Sequence, residues 1–194
     1  MELSAAWLRQ RFTSGPQVAP ASMPQTGVAL IAAAVLVPIV VRQPELTVLL
    51  TQRTAHLRDH AGQVSFPGGR CEAADQSPVM TALREAQEEV GLPPGQVEVL
   101  GLLPDFHTQT GFVVTPVVGL VTPPLNLKLD DFEVADVFEP PLGFLLDGGN
   151  FRRDQYEYQG VSREYWAVPW QGRYIWGATA GMLVKLREYL FAGM

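Results

Sequence analysis

A single cysteine, Cys71, occurs in a chain of 194 residues. One thiol excludes an intramolecular disulfide framework and fits a reducing compartment. Thiol catalysis is disfavoured too, because a cysteine nucleophile needs a neighbouring base. None of the three histidines, His56, His60 and His107, is spaced from Cys71 to make a Cys-His motif. Long apolar runs are also missing: the longest, Val28 to Val41, is too short to span a bilayer as a helix and contains Pro38. No basic-then-apolar leader opens the chain and the tail is no recognised address, so a cytoplasmic location and no membrane partner are expected. Basic residues number 14 against 20 acidic ones, a net charge of -6. That balance disfavours nucleic acid as a partner, and a phosphate-bearing small molecule would need local cations. Such cations are present: nearly all of the basic residues are arginines, whose planar forks suit phosphate.

What the chain does have is a charged helix. From Gly68 to Leu92 it reads GGRCEAADQSPVMTALREAQEEVGL. Ser77 is an N-cap, Pro78 suits the first helical position and Gly91 supplies a left-handed end, so the spacing predicts a helix from Pro78 to Val90. Val79, Leu83, Ala86 and Val90 fall on one stripe, with Glu85, Glu88 and Glu89 nearly opposite. Three carboxylates at that spacing repel one another, and Arg84 cannot neutralise them all. A solvated acidic face is one outcome. The other is a divalent cation such as Mg2+ or Mn2+, which takes hard oxygen ligands from one or two carboxylates plus substrate phosphates. The pair Gly68 and Gly69 would let backbone approach that ion or phosphate.

The string Arg84, Glu85, Ala86, Gln87, Glu88, Glu89, Val90, Gly91, Leu92 resembles the loop-helix-loop signature of the Nudix hydrolases. Two departures lie upstream: Asp75 stands where the family has Glu, and the interval to Arg84 is one residue longer. The preceding segment, LTQRTAHLRDHAGQVSFPGG from Leu50 to Gly69, is similar to the extra motif of the coenzyme A diphosphatase branch, with Thr54 in place of its usual Ser or Ala. The tail from Ile175 to Ala180 resembles that branch as well. The resemblance implies hydrolysis of coenzyme A to 3′,5′-ADP and 4′-phosphopantetheine. It also implies a metal site in which Glu85 and Glu89 are ligands, Glu88 is a further ligand or the group that orients or deprotonates water, Gly69 offers its carbonyl, and Arg84 steadies the glutamates. Substrate contacts would fall on Arg53, Arg58, Gln63 and Phe66, with Glu133 a candidate ligand from outside the signature. The alternatives are a Nudix hydrolase of another nucleoside diphosphate derivative (ADP-ribose, a dinucleotide such as NADH, a nucleoside triphosphate) and a binding module without turnover. A module freed from catalysis would have no need of three repelling carboxylates.

The fold implied is an α/β Nudix fold, an α/β/α sandwich around a mixed sheet, and the alternation of strands and helices agrees with it. Residues 1–27 are expected to form a short helix, capped by Ser4, and a Pro/Gly-rich linker from Thr13 to Gly27, packing on a single domain at 28–194; the helix would cover the core or a homodimer partner. Val28 to Val41 and Leu46 to Gln52 should pair as a hairpin, with Arg53 to Ser65 a polar loop lining the site. Buried strands at Val97 to Leu103 and Phe112 to Val121 flank a loop from Pro104 to Gly111. Then come a strand at Val134 to Phe138, a helix at Leu142 to Leu146, a hairpin around Gly160 (Tyr156 to Gln159 with Glu164 to Trp170) and a closing helix from Thr179 to Phe191.

Overall fold

Proline inside a strand removes one ladder donor, and Pro38 shapes the sheet that carries the site. The computed structural model describes residues 3–16, 30–57, 60–158 and 160–193. In chain order its elements are α1 (Ala5–Ser14), β1 (Ile31–Val40), β2 (Thr47–Val48), β3 (Leu50–Arg53), β4 (Val64–Ser65), β5 (Gly68–Arg70), α2 (Pro78–Val90), β6 (Val97–Leu102) and β7 (Phe106–His107). After these come β8 (Phe112–Val121), β9 (Val134–Phe138), α3 (Leu142–Leu146), β10 (Arg152–Tyr158), β11 (Val161–Trp170), β12 (Arg173–Trp176) and α4 (Gly177–Phe191).

The expected hairpin forms over two pairs only, Ile39↔Val48 and Val40↔Thr47. The Leu49 N–H still reaches the Pro38 carbonyl at 3.0 Å, but Pro38 has no N–H to return, and the ladder stops. The second strand is therefore two: β3 leaves to pair with β4 and β9. The edge of β1 thus released is taken by β5, in register Ala33↔Arg70 to Val35↔Gly68. In this way Pro38 brings the glycine pair onto the central sheet.

On its other edge β1 runs parallel to β8 from Ile31↔Phe112 to Val40↔Val121. Both faces of β1 are covered. Ala34, Leu36 and Val40 pack with Ala82, Ala86 and Val90 of α2, while Ala33, Val37 and Ile39 share a cluster with Leu8 and Phe12 of α1 and Leu183, Leu186 and Leu190 of α4. Each Val, Leu or Ile side chain taken from water here stabilises the fold by about 1.5–3 kcal/mol. The architecture is an α/β/α sandwich around a mixed sheet.

Several expectations change. α1 covers the core of its own chain, with Leu8 and Phe12 buried; residues 17–27 of the expected linker lie outside the described ones. β6 is an edge strand and not a buried one: Val99 is exposed, and Glu98 pairs with Arg9 of α1 at 2.7 Å. The stretch expected as polar loop contains β4, whose Val64 is in the core. The loop from Pro104 to Gly111 contains β7, and the terminal hairpin is a longer three-stranded meander, β10-β11-β12. No helix among the described residues is long and apolar enough to cross a membrane.

Candidate active site

Helix α2 forms where its ends are signalled. Ser77 Oγ accepts the Met80 N–H at 3.3 Å. Gly91, at φ 70°, turns the chain so that its N–H bonds the Gln87 carbonyl and the Leu92 N–H bonds that of Ala86. The buried face is rotated from the expected stripe: Ala82, Ala86 and Val90 are fully buried, Val79 and Leu83 only partly, and Glu89 goes inside with them. The three glutamates, expected on one wet face, occupy three environments. The side chain of Glu88 is 59% exposed, that of Glu85 17% and that of Glu89 7%. The cause is β5, which lies against the helix and covers two of the three.

Glu89 accepts the Gly68 N–H at 3.2 Å and faces the Arg53 guanidinium at 3.8 Å. Burial dominates all the same and pushes its carboxyl up to about 8. Glu85 is pushed up as well, first by burial, against the opposing Arg84, with Glu88 and Glu133 adding repulsion. Gly69 sits directly on this carboxylate: a β-carbon there would come within 2.5 Å of Glu85 Cδ. Any side chain at 69 would fill the space in front of the carboxylate.

Arg84 is wired to the loop and the helix together. Its Nε and Nη2 donate to Asp75 at 3.2 and 3.0 Å, Nη2 also to the Arg70 carbonyl at 3.1 Å, and Nη1 to Glu85 and Glu88 at 3.0 Å each. Asp75 is locked in turn by the Glu72 N–H and the Thr81 hydroxyl, both at 2.9 Å. Its bond from Arg84 holds the Asp75 carboxyl well below the usual carboxylate range, and the same bond raises Arg84. The residue that departs from the signature thus has a structural task, to fix Arg84. Asp75→Asn should remove the charged acceptor and leave the Arg70 carbonyl as the loop's remaining hold on the guanidinium; we expect kcat to fall roughly tenfold, the effect of one lost charge-assisted hydrogen bond. Steady-state assay beside a thermal melt checks it, and an unchanged kcat would show that Arg84 needs no such anchor.

Of the expected substrate residues, Arg53 lies at the carboxylates, between Glu89 and Glu133, whose Oε2 is 3.9 Å away. Its Nε is buried and has no hydrogen-bond partner among the described residues. Gln63 sits on the adjoining loop, its amide oxygen 2.9 Å from His60 Nδ1. Phe66 is 2% exposed and its ring packs in the core beneath the loop, where aromatic area is best buried. Arg58 lies outside the described residues. Thr54, the other departure, donates its hydroxyl to the Phe132 carbonyl at 2.8 Å and its N–H to that of Glu133 at 2.9 Å, so it holds Glu133 near Arg53.

Among the described residues no three His, Cys, Asp or Glu side chains form a ready-made metal cage; Arg84 and Arg53 stand between the carboxylates. The donor set nonetheless fits a hard divalent cation. One buried and one part-buried carboxylate are raised by burial, which the neighbouring guanidiniums do not offset, and a glycine leaves the space in front of one of them clear.

A model of the NUDIX domain matches residues 32–157. The chain belongs to the Nudix hydrolase family. The Nudix hydrolase NudL of Escherichia coli K12 is 47% identical over 154 residues, 79% of this chain and 80% of that one. Among solved structures, the NUDIX domain of Shewanella oneidensis NrtR, complexed with ADP ribose, aligns at TM-score 0.53 and 19% identity over 97% of this chain and 99% of that one. A MutT/nudix family protein from Enterococcus faecalis aligns at 0.52 and 16% identity over 95% and 73%. These last two show the fold alone. A Nudix hydrolase acts on nucleoside diphosphate derivatives, generally with a divalent ion such as Mg2+ or Mn2+, and Gly69, Glu85, Glu88 and Glu89 all lie within the matched span.

Proposed function

We propose that this Nudix hydrolase cleaves the diphosphate of coenzyme A and its derivatives, giving 3′,5′-ADP and 4′-phosphopantetheine. One observation carries the reading: the segment from Leu50 to Gly69, similar to the motif of the coenzyme A branch, folds so that its arginine and its glycines meet the glutamates. Arg53 lies 3.8 Å from Glu89, the Gly68 N–H donates to the same carboxylate, and Gly69 abuts Glu85.

Glu85, Glu89 and Glu88 with the Gly69 carbonyl would hold Mg2+ or Mn2+, which when bound supplies charge neutralisation on the diphosphate and acidifies a water. The chain's own residues do the rest. Arg53, with Arg58 assigned from its place in the motif, offers guanidinium donors to the phosphate oxygens, where charge develops in phosphoryl transfer. Glu88, the exposed glutamate, would take a proton from attacking water or orient it. Arg84 acts through Glu85 and Glu88, holding both carboxylates in place.

The test is product analysis with Mg2+ and, separately, coenzyme A, ADP-ribose, NADH and a nucleoside triphosphate. Selective loss of coenzyme A with appearance of 3′,5′-ADP is expected. Faster cleavage of any of the other three would overturn the assignment while leaving the Nudix site in place.

A further inference from the structure

A hollow of about 620 Å3 opens between β3, β4 and β9 on one side and the β11–β12 turn on the other. Gln52, Gln63, Asp136, Gln171, Arg173 and Trp176 line it, and its size is that of a small-molecule pocket. Two backbone links join its lining to Arg53. Gln52 immediately precedes Arg53, and the Gln63 carbonyl accepts the Arg53 N–H at 2.9 Å.

Its charge is internally balanced. Arg173 donates to Asp136 and, at 2.8 Å, to Gln52 Oε1, and its guanidinium lies 4.1 Å from the centre of the Phe138 ring. A phosphate entering here would meet the Asp136 carboxylate. Gln52 Oε1 is taken by Arg173 and Gln63 Oε1 by His60, which leaves the Gln63 NH2 and the Gln171 amide to face the hollow, so the lining suits a polar, uncharged guest.

The turn gives a separate indication. Gln171 and Gly172 join Trp170 to Arg173, both at positive φ, 45° and 79°. Such two-residue turns favour Asn-Gly or Gly-Gly, because the left-handed region is unfavourable to a residue with a β-carbon. A glutamine kept there puts a long amide at the rim of the hollow. This wall also lies beyond residue 157, where the match to the NUDIX domain ends.

We infer that the hollow is a specificity subsite for the uncharged, amide-bearing arm attached to the diphosphate on the side away from the nucleoside. This rests on the coenzyme A reading. The test compares coenzyme A with a truncated substrate that carries a methyl ester on the diphosphate in place of the arm. Gln171→Gly suits the turn and should fold at least as well, which a thermal melt checks. Losing one hydrogen bond of ordinary strength should raise the KM for coenzyme A about five- to tenfold, and the effect should fall on KM rather than kcat. The ratio of the two KM values should shift by the same factor, because the truncated substrate has no arm to lose. An unchanged KM for coenzyme A, or an equal rise for both substrates, would overturn the subsite and leave the coenzyme A reading standing. A wild-type enzyme that leaves coenzyme A intact while cleaving another diphosphate would overturn both.

Discussion

Glu89→Gln is expected to lower kcat by roughly a thousandfold or more, the scale on which a group stabilising transition-state charge acts, and to leave the fold intact. The exchange preserves size and the acceptor for the Gly68 N–H, so the packing around residue 89 has no reason to change. What goes is the charge that the site gathers from a buried position. Stability makes a second readout. In the metal-free protein the Glu89 carboxyl titrates near 8 instead of its ordinary 4.5, so between those values the folded state retains a proton that the unfolded chain releases. A group raised in this way stabilises the fold fully below about pH 4.5, and that contribution is lost as pH rises through 8. Melting in EDTA should therefore show wild-type Tm falling across this interval and a flatter profile for Glu89→Gln. A divalent cation, competing with the proton, should restore more Tm at pH 8 than at pH 5. A fully active Glu89→Gln enzyme would remove this residue from the site.

Gly69→Ala should cost activity on the order of a hundredfold with little loss of stability, since misplacement of a reacting group by about 1 Å has that effect. The new methyl would come within 2.5 Å of Glu85 Cδ, and the atom that must give way is the end of a flexible side chain. Folding can accommodate the shift; a carboxylate held for the reaction cannot. The neighbouring Gly68→Ala should behave in the opposite sense. Its methyl would meet Val35 Cα at 2.6 Å, a backbone atom of the central strand that cannot move aside, so that variant should lose Tm first. Melting and turnover measured on both proteins separate the two cases. A Gly69→Ala enzyme of normal activity would mean that Glu85 is not needed where it stands.

The ends of α2 were legible from Ser77, Pro78 and Gly91, because capping is local chemistry. The stripes of α1 and α4 could be read in the same way, Leu183, Leu186 and Leu190 all lying inside. The unequal burial of Glu85, Glu88 and Glu89 could not be read from helical spacing, since it depends on β5 crossing the helix, and β5 is there because Pro38 ends a ladder more than thirty residues earlier in the chain. The one available signal was the proline inside an apolar run. Asp75 looked like a departure until its partner was known; carboxylate and guanidinium are nine residues apart, and only the intervening loop brings them together. That Phe66 packs beneath its loop was not legible either, because a motif residue can serve by packing as well as by touching what the loop holds.

The contact between the first and last helices has a mechanical consequence. Phe12 stacks on Tyr189 at 4.7 Å and Arg11 donates to the Ala192 carbonyl at 2.8 Å, so a tether pulling from both sides would load this latch. Arg53, Gly69 and the glutamates stand on β3, β5 and α2, none of which belongs to that latch.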